Sequence, residues 1–193
     1  MSKSKKSLST LVGIYKKQFA PRIEKYLRFF ENLNSLDDAI RVAALATGKD
    51  GKIHGHQRRV GRKILTKTSK KLLRHTDELG ACETFDDLLN CVEDKTQRIE
   101  RFGELAVYDT SLRVGAHLGL WPELVYLHAG TKKGCKALGV DASNGIIEMG
   151  DLPKPIRTLA PYQTEDFLCI FKGSFDVAGE SLMACLPKGR GVV

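Results

Sequence analysis

The sequence predicts a mainly α, multi-helical protein, and three features of it predict that. Apolar residues recur at steps of three or four through most of the chain. Ser, Thr, Gly and Pro punctuate those runs at helix-start and helix-stop positions. Strand-like patterning is confined to Ile146–Met149 and to a segment over 121–128 that reads as helical or partly extended. With 193 residues, 42% of them apolar and 28% charged, the chain suits one domain with a modest appendage, and it can bury a core. Its uncharged apolar stretches fall well short of the roughly 18 residues a membrane span needs, so no membrane partner is expected.

Taken in order, Leu8, Leu11, Tyr15, Phe19, Ile23, Tyr26 and Phe30 mark one face of a long helix. Pro21 lies inside it, so the helix should kink or be two helices meeting there. Ser35 reads as an N-cap with Asp37 and Asp38 in the first turn, starting a helix from Leu36 to about Thr47 that ends at Gly48. The glycine-rich stretch 48–56 is a loop. It leads into a cationic amphipathic helix over 57–74, where Val60, Ile64, Leu65, Thr68, Leu72 and Leu73 form a narrow apolar stripe. Thr84, with Asp86 and Asp87, caps a helix through Phe85, Leu88, Leu89 and Val92. Further helices are expected at about 104–118 and 131–138. Asn144-Gly145 ahead of Ile146-Ile147 marks one short β-hairpin or a lone strand. A short helix follows near Ile156–Leu159, and Thr164 is expected to cap a last helix through Phe167, Leu168, Ile170 and Phe171.

Charge is distributed unevenly. The formal net charge is +8, but residues 1–75 hold 19 Lys/Arg against 5 Asp/Glu, and 76–193 hold 12 against 18. The organisation read from this is a basic helical part over 1–75, a helical domain over 76–172, and a tail over 173–193 that is expected to be partly mobile. A balance of +14 over 75 residues points to a polyanionic partner, nucleic acid foremost. Five cysteines, an odd count without C-x-x-C spacing, argue for reduced thiols, with Cys91, Cys135 and Cys169 as small core residues. The opening Met1-Ser-Lys-Ser-Lys-Lys6 lacks signal-peptide character, so a cytoplasmic location is expected. No cofactor fingerprint is present and no metal is assigned. Only a fold-assembled site, with His54 and His56, would suit zinc.

Phe102-Gly103-Glu104-Leu105 follows one helix and opens another, a form that offers backbone N–H groups to a phosphate. It resembles half of a helix-hairpin-helix motif, with Arg101 standing where the first glycine of such hairpins belongs. Val107-Tyr-Asp-Thr-Ser-Leu-Arg-Val-Gly-Ala-His-Leu-Gly-Leu120 resembles the stretch that follows the hairpin in helix-hairpin-helix DNA glycosylases. That resemblance implies an aspartate-threonine pair opening a helix, with Asp109 as the active-site carboxylate. The same Asp also reads as a plain N-cap. From His56-Gln-Arg-Arg59 to Glu165-Asp-Phe-Leu-Cys169 the chain is also similar to a family of uncharacterised small bacterial proteins, which implies a free-standing unit and brings no activity. His128-Ala-Gly-Thr-Lys-Lys133 is a second anion candidate without P-loop spacing, and its bland reading is a capped surface helix.

The residues expected to meet nucleic acid, double-stranded DNA in particular, are therefore Arg58, Arg59, Arg62, Lys63, Lys67, Gly103, Arg113, Lys132 and Lys133. A DNA glycosylase-like or nucleotide-processing enzyme using Asp109 is the alternative. A scaffold subunit docking its basic helix on an acidic protein is the third reading.

Overall fold

The first apolar stripe breaks where proline requires it. In the computed structural model, which describes residues 6–175, it forms two helices, α1 (Leu8–Gln18) and α2 (Ala20–Glu31), with Phe19 between them and Pro21 in the first turn of the second. Ser7 caps α1, its hydroxyl accepting from the Thr10 N–H at 3.2 Å. The described residues are mainly helical, and the helices belong to two packing units, Glu24–Pro122 and a second made of the chain up to Ile23 together with Glu123 onward.

The Glu24–Pro122 unit holds the end of α2, then α3 (Leu36–Ala44), α4 (Arg62–Leu72), the short α5 (Thr76–Gly80), α6 (Phe85–Thr96) and α7 (Glu104–Leu118). Ser35 caps α3 by accepting from the Asp38 N–H at 3.1 Å. Thr84 and Asp87 form a full capping box on α6, each side chain accepting from the other's N–H at 3.1 Å. α7 packs on both α6 and α3, and α4 packs on α3 and α6. Their core includes Phe30, Ile40, Leu65, Leu72, Leu88 and Tyr108. Gly115 lets the chain after α7 fold back: a Cβ there would stand 2.5 Å from the Leu120 carbonyl oxygen.

The other unit contains α1, the strand β1 (Val125–Tyr126), α8 (Ala129–Ala137), the strand β2 (Ile146–Ile147) and α9 (Pro161–Phe171). Its core gathers Leu11, Val12 and Tyr15 with Leu127, Leu152 and Phe167. Tyr15 stacks on Phe19, meets the edge of Phe167, and donates its hydroxyl to Asp166 Oδ2 at 3.0 Å. Burial first, and the Asp166 carboxylate second, push that phenol far above its usual range. α8 approaches α9 closely because Gly134 lacks a Cβ, which would lie 2.5 Å from the Leu168 carbonyl oxygen. Cys135 sits in the same core, and burial pushes its thiol up to about 11.

Several expectations need correction. The 57–74 helix is broken: a 3-10 turn over Gly55–Arg59 precedes α4, because Gly61 takes φ 90°, and a second 3-10 turn over Leu73–His75 follows α4. Ile146-Ile147 forms no local hairpin. It pairs antiparallel with Val125-Tyr126, Val125 opposite Ile147, across the whole of α8. The last helix starts at Pro161 rather than at a Thr164 cap. Thr164 is buried, and Gln163 Oε1 accepts from the Ala160 N–H at 3.1 Å. Charge changes at residue 75, but packing does not: α3 and α4 on the basic side share one unit with α6 and α7 on the acidic side. That unit holds 17 Lys/Arg against 15 Asp/Glu. Most of the tail, from residue 176 on, and Cys185 with it, lies outside the described residues.

Candidate nucleic-acid interface

α7 carries Asp109 and Arg113 one turn apart, on the same helix face. Arg113 is 2% exposed, and the unit supplies an acceptor for each arm of its guanidinium. Nε donates to the Tyr26 hydroxyl at 2.7 Å, Nη1 to the Ala43 carbonyl at 3.3 Å, and Nη2 to Gln57 Oε1 at 3.1 Å. Nη2 also lies 3.6 Å from Asp109 Oδ2, and Gln57 Nε2 donates to that same carboxylate oxygen. Gln57, itself 2% exposed, thus bridges the two charges. Burial raises the Tyr26 phenol above its ordinary range, and the Arg113 charge opposes the rise. The planar fork of arginine fits this set of acceptors, whereas a lysine would satisfy fewer of them.

This geometry changes the reading of both residues. Asp109 and Thr110 do not open a helix. α7 begins at Glu104 behind the N-cap Gly103, so Asp109 lies within it and caps nothing. Arg113 is not presented to a ligand, because its donors are taken up inside the unit.

The other basic candidates of this unit are exposed. Arg58 and Arg59 end the 3-10 turn, and Arg62, Lys63 and Lys67 lie on the outer side of α4, away from buried Leu65, Thr68 and Leu72. From Gly48 to Arg74 the sequence holds ten Lys/Arg and a single acid, Asp50. Among the described residues, none of Arg58, Arg59, Arg62, Lys63 and Lys67 makes an ion pair.

The turn between α6 and α7 reaches this basic segment. Arg101 Nη2 donates to the Arg59 carbonyl at 3.0 Å. Arg101 also adopts φ 69°, the left-handed region that favours glycine, at the position where the hairpin resemblance expects a glycine. Gly103 follows as the N-cap, exposed, and Ile99 and Phe102 anchor the turn in the core. Lys132 and Lys133 are exposed on α8, in the other unit.

Beside the basic segment, Lys25, Tyr26, Lys49, Lys52, Ile53 and Arg58 line an open cleft of about 650 Å³. The sequence marked 48–56 only as a loop, and it gave no sign that Gln57 or Tyr26 would hold Arg113. The signal for the cleft was present, three glycines interleaved with Lys49 and Lys52, but its aromatic wall comes from α2. Among the described residues, no group of three His, Cys, Asp or Glu side chains is placed to hold a metal ion, and no helix is long and apolar enough to cross a membrane. No protein-family model matches this chain, and no curated protein or solved structure matches it either.

Proposed function

We propose that this protein binds nucleic acid, contacting the phosphate backbone of double-stranded DNA with Arg58, Arg59, Arg62, Lys63 and Lys67 and with the turn at Arg101–Gly103. The observation that carries the reading is the Arg101–Arg59 hydrogen bond, which joins the hairpin-like turn to the start of the cationic segment. Two features that sequence could only name separately thereby become neighbours. Exposed cations without acidic partners gain by releasing counterions from DNA, and they lose no internal ion pair in doing so. Glu104 in the first turn of α7 already answers the helix dipole, so the turn supplies placement and the basic segment supplies charge.

The test is duplex DNA affinity, read by fluorescence anisotropy between about 50 and 200 mM salt. The expected result is a steep loss of affinity with salt, with the slope falling by about one for each phosphate-contacting cation removed. Absence of binding at the low-salt end overturns the reading.

A further inference from the structure

The cleft beside the 3-10 turn has a composition that backbone contact alone does not explain. Its charge comes from Lys25, Lys49, Lys52 and Arg58, all exposed, and none of the four makes an ion pair among the described residues. Its one carboxylate, Asp50, is engaged in the turn, Oδ1 accepting from the Lys52 N–H at 3.1 Å. The loop is held in shape by the Thr47–Ile53 bridge, by the Gly51 N–H donating to the Gly48 carbonyl at 2.9 Å, and by Gly51 at φ 68°. Behind the cations stand Ile53 and the ring of Tyr26, which the bond from Arg113 holds in place. The His54 ring lies against it, 5.3 Å away centroid to centroid.

Cationic side chains around an aromatic and aliphatic wall match a ligand with both an anionic and a planar apolar part. A volume of about 650 Å³ is far more than an inorganic anion fills, and it falls within the roughly 300–1,000 Å³ of small-molecule sites. An uncharged apolar ligand would leave the cations without a role. We propose that this cleft binds the nucleoside-phosphate moiety of a nucleotide, with the base against Tyr26 and Ile53 and the phosphate on Lys49, Lys52, Lys25 and Arg58. The moiety has two sources, a free nucleotide or an unpaired nucleotide of a DNA strand. The site goes beyond the duplex-backbone contact proposed above and does not depend on it.

The experiment titrates the full chain with AMP, inorganic phosphate, a single-stranded oligonucleotide and a short duplex, and follows amide shifts in NMR and anisotropy. AMP or the single strand should perturb the 48–58 loop and bind at least about tenfold tighter than phosphate, a gap of about 1.4 kcal/mol. The double variant Lys49→Ala/Lys52→Ala should weaken that binding about tenfold, and Arg58→Ala should weaken it in the same direction. Lys154→Ala, at an exposed residue of the other unit with no part in either site, should change it by less than about twofold. Binding of AMP identifies the free-nucleotide source. Binding of the strand alone identifies the unpaired-nucleotide source. The proposal is overturned if neither binds, if phosphate competes as well as AMP, or if Lys49→Ala/Lys52→Ala and Arg58→Ala leave binding unchanged. Failure of the duplex alone removes the backbone reading and leaves the cleft standing.

Discussion

Arg113 and the cations of the basic segment carry the same kind of charge within one packing unit, yet their surroundings differ completely. Arg113 is desolvated and held by Tyr26, Ala43, Gln57 and Asp109. Arg62, Lys63 and Lys67 face solvent, with no ion pair among the described residues. A buried charge keeps its place only if its donors are matched, so it serves the fold. An exposed charge without a partner contributes almost nothing to the fold and remains available to a polyanion. Stability and DNA affinity should therefore respond to different residues.

The largest expected effect comes from Arg113→Met. It leaves Asp109 without its counter-charge and the Tyr26 hydroxyl, Ala43 carbonyl and Gln57 Oε1 without their donor, and should cost about 3–5 kcal/mol of unfolding free energy in a denaturant titration. The same variant, measured below its unfolding midpoint, should bind duplex DNA within about twofold of the parent. A large loss of affinity with stability intact would reverse the roles assigned to the two groups. Gln57→Ala comes next, because it removes an acceptor from Arg113 and a donor from Asp109 together. A loss of about 1–3 kcal/mol is expected, again with little change in binding. Lys63→Glu/Lys67→Glu should act the other way, weakening duplex affinity at least about tenfold at low salt. Its unfolding free energy should stay within about 0.5 kcal/mol of the parent.

The smallest effect sharpens the comparison most. Arg101→Gly removes a non-glycine residue from the left-handed region but also loses the bond to the Arg59 carbonyl. Relief of the backbone strain and loss of an exposed hydrogen bond nearly cancel, so stability should move by less than about 1 kcal/mol. The salt slope should fall by about one if the Arg101 charge also meets a phosphate. An unchanged slope would confine Arg101 to shaping the turn.

Part of this was legible in the sequence. Thr84 with Asp87, and Gly103 ahead of Glu104, set the starts of α6 and α7, and the structure has both helices begin there. Pro21 calls for a kink or a junction between helices, and the chain forms a junction. The cationic stripe reads as one helix because Gly61 sits within an otherwise continuous apolar pattern. Its φ of 90° splits the stripe and turns Gln57 into the unit, where it meets Asp109. Asp109 was misplaced for a related reason. An Asp ahead of Thr-Ser looks the same at a cap and inside a helix, so the glycosylase-like pattern competes with the helix expected at about 104–118, and the structure has Asp109 inside that helix.

Local sequence is enough for the helical class, the capped starts of α3 and α6, the glycine start of α7, and the concentration of ten cations between Gly48 and Arg74. All of these depend on residues within a turn or two of each other. The tertiary structure alone decided that Arg113 is internal, with Tyr26 and Gln57 reaching it from 87 and 56 residues away. It alone paired Val125-Tyr126 with Ile146-Ile147, and it alone set the hairpin-like turn against Arg59. Caps and apolar periodicity are local energies that a short window of sequence can express. The fate of a charge depends on whether distant groups bring it acceptors or leave it to water, and that is settled only when the core closes.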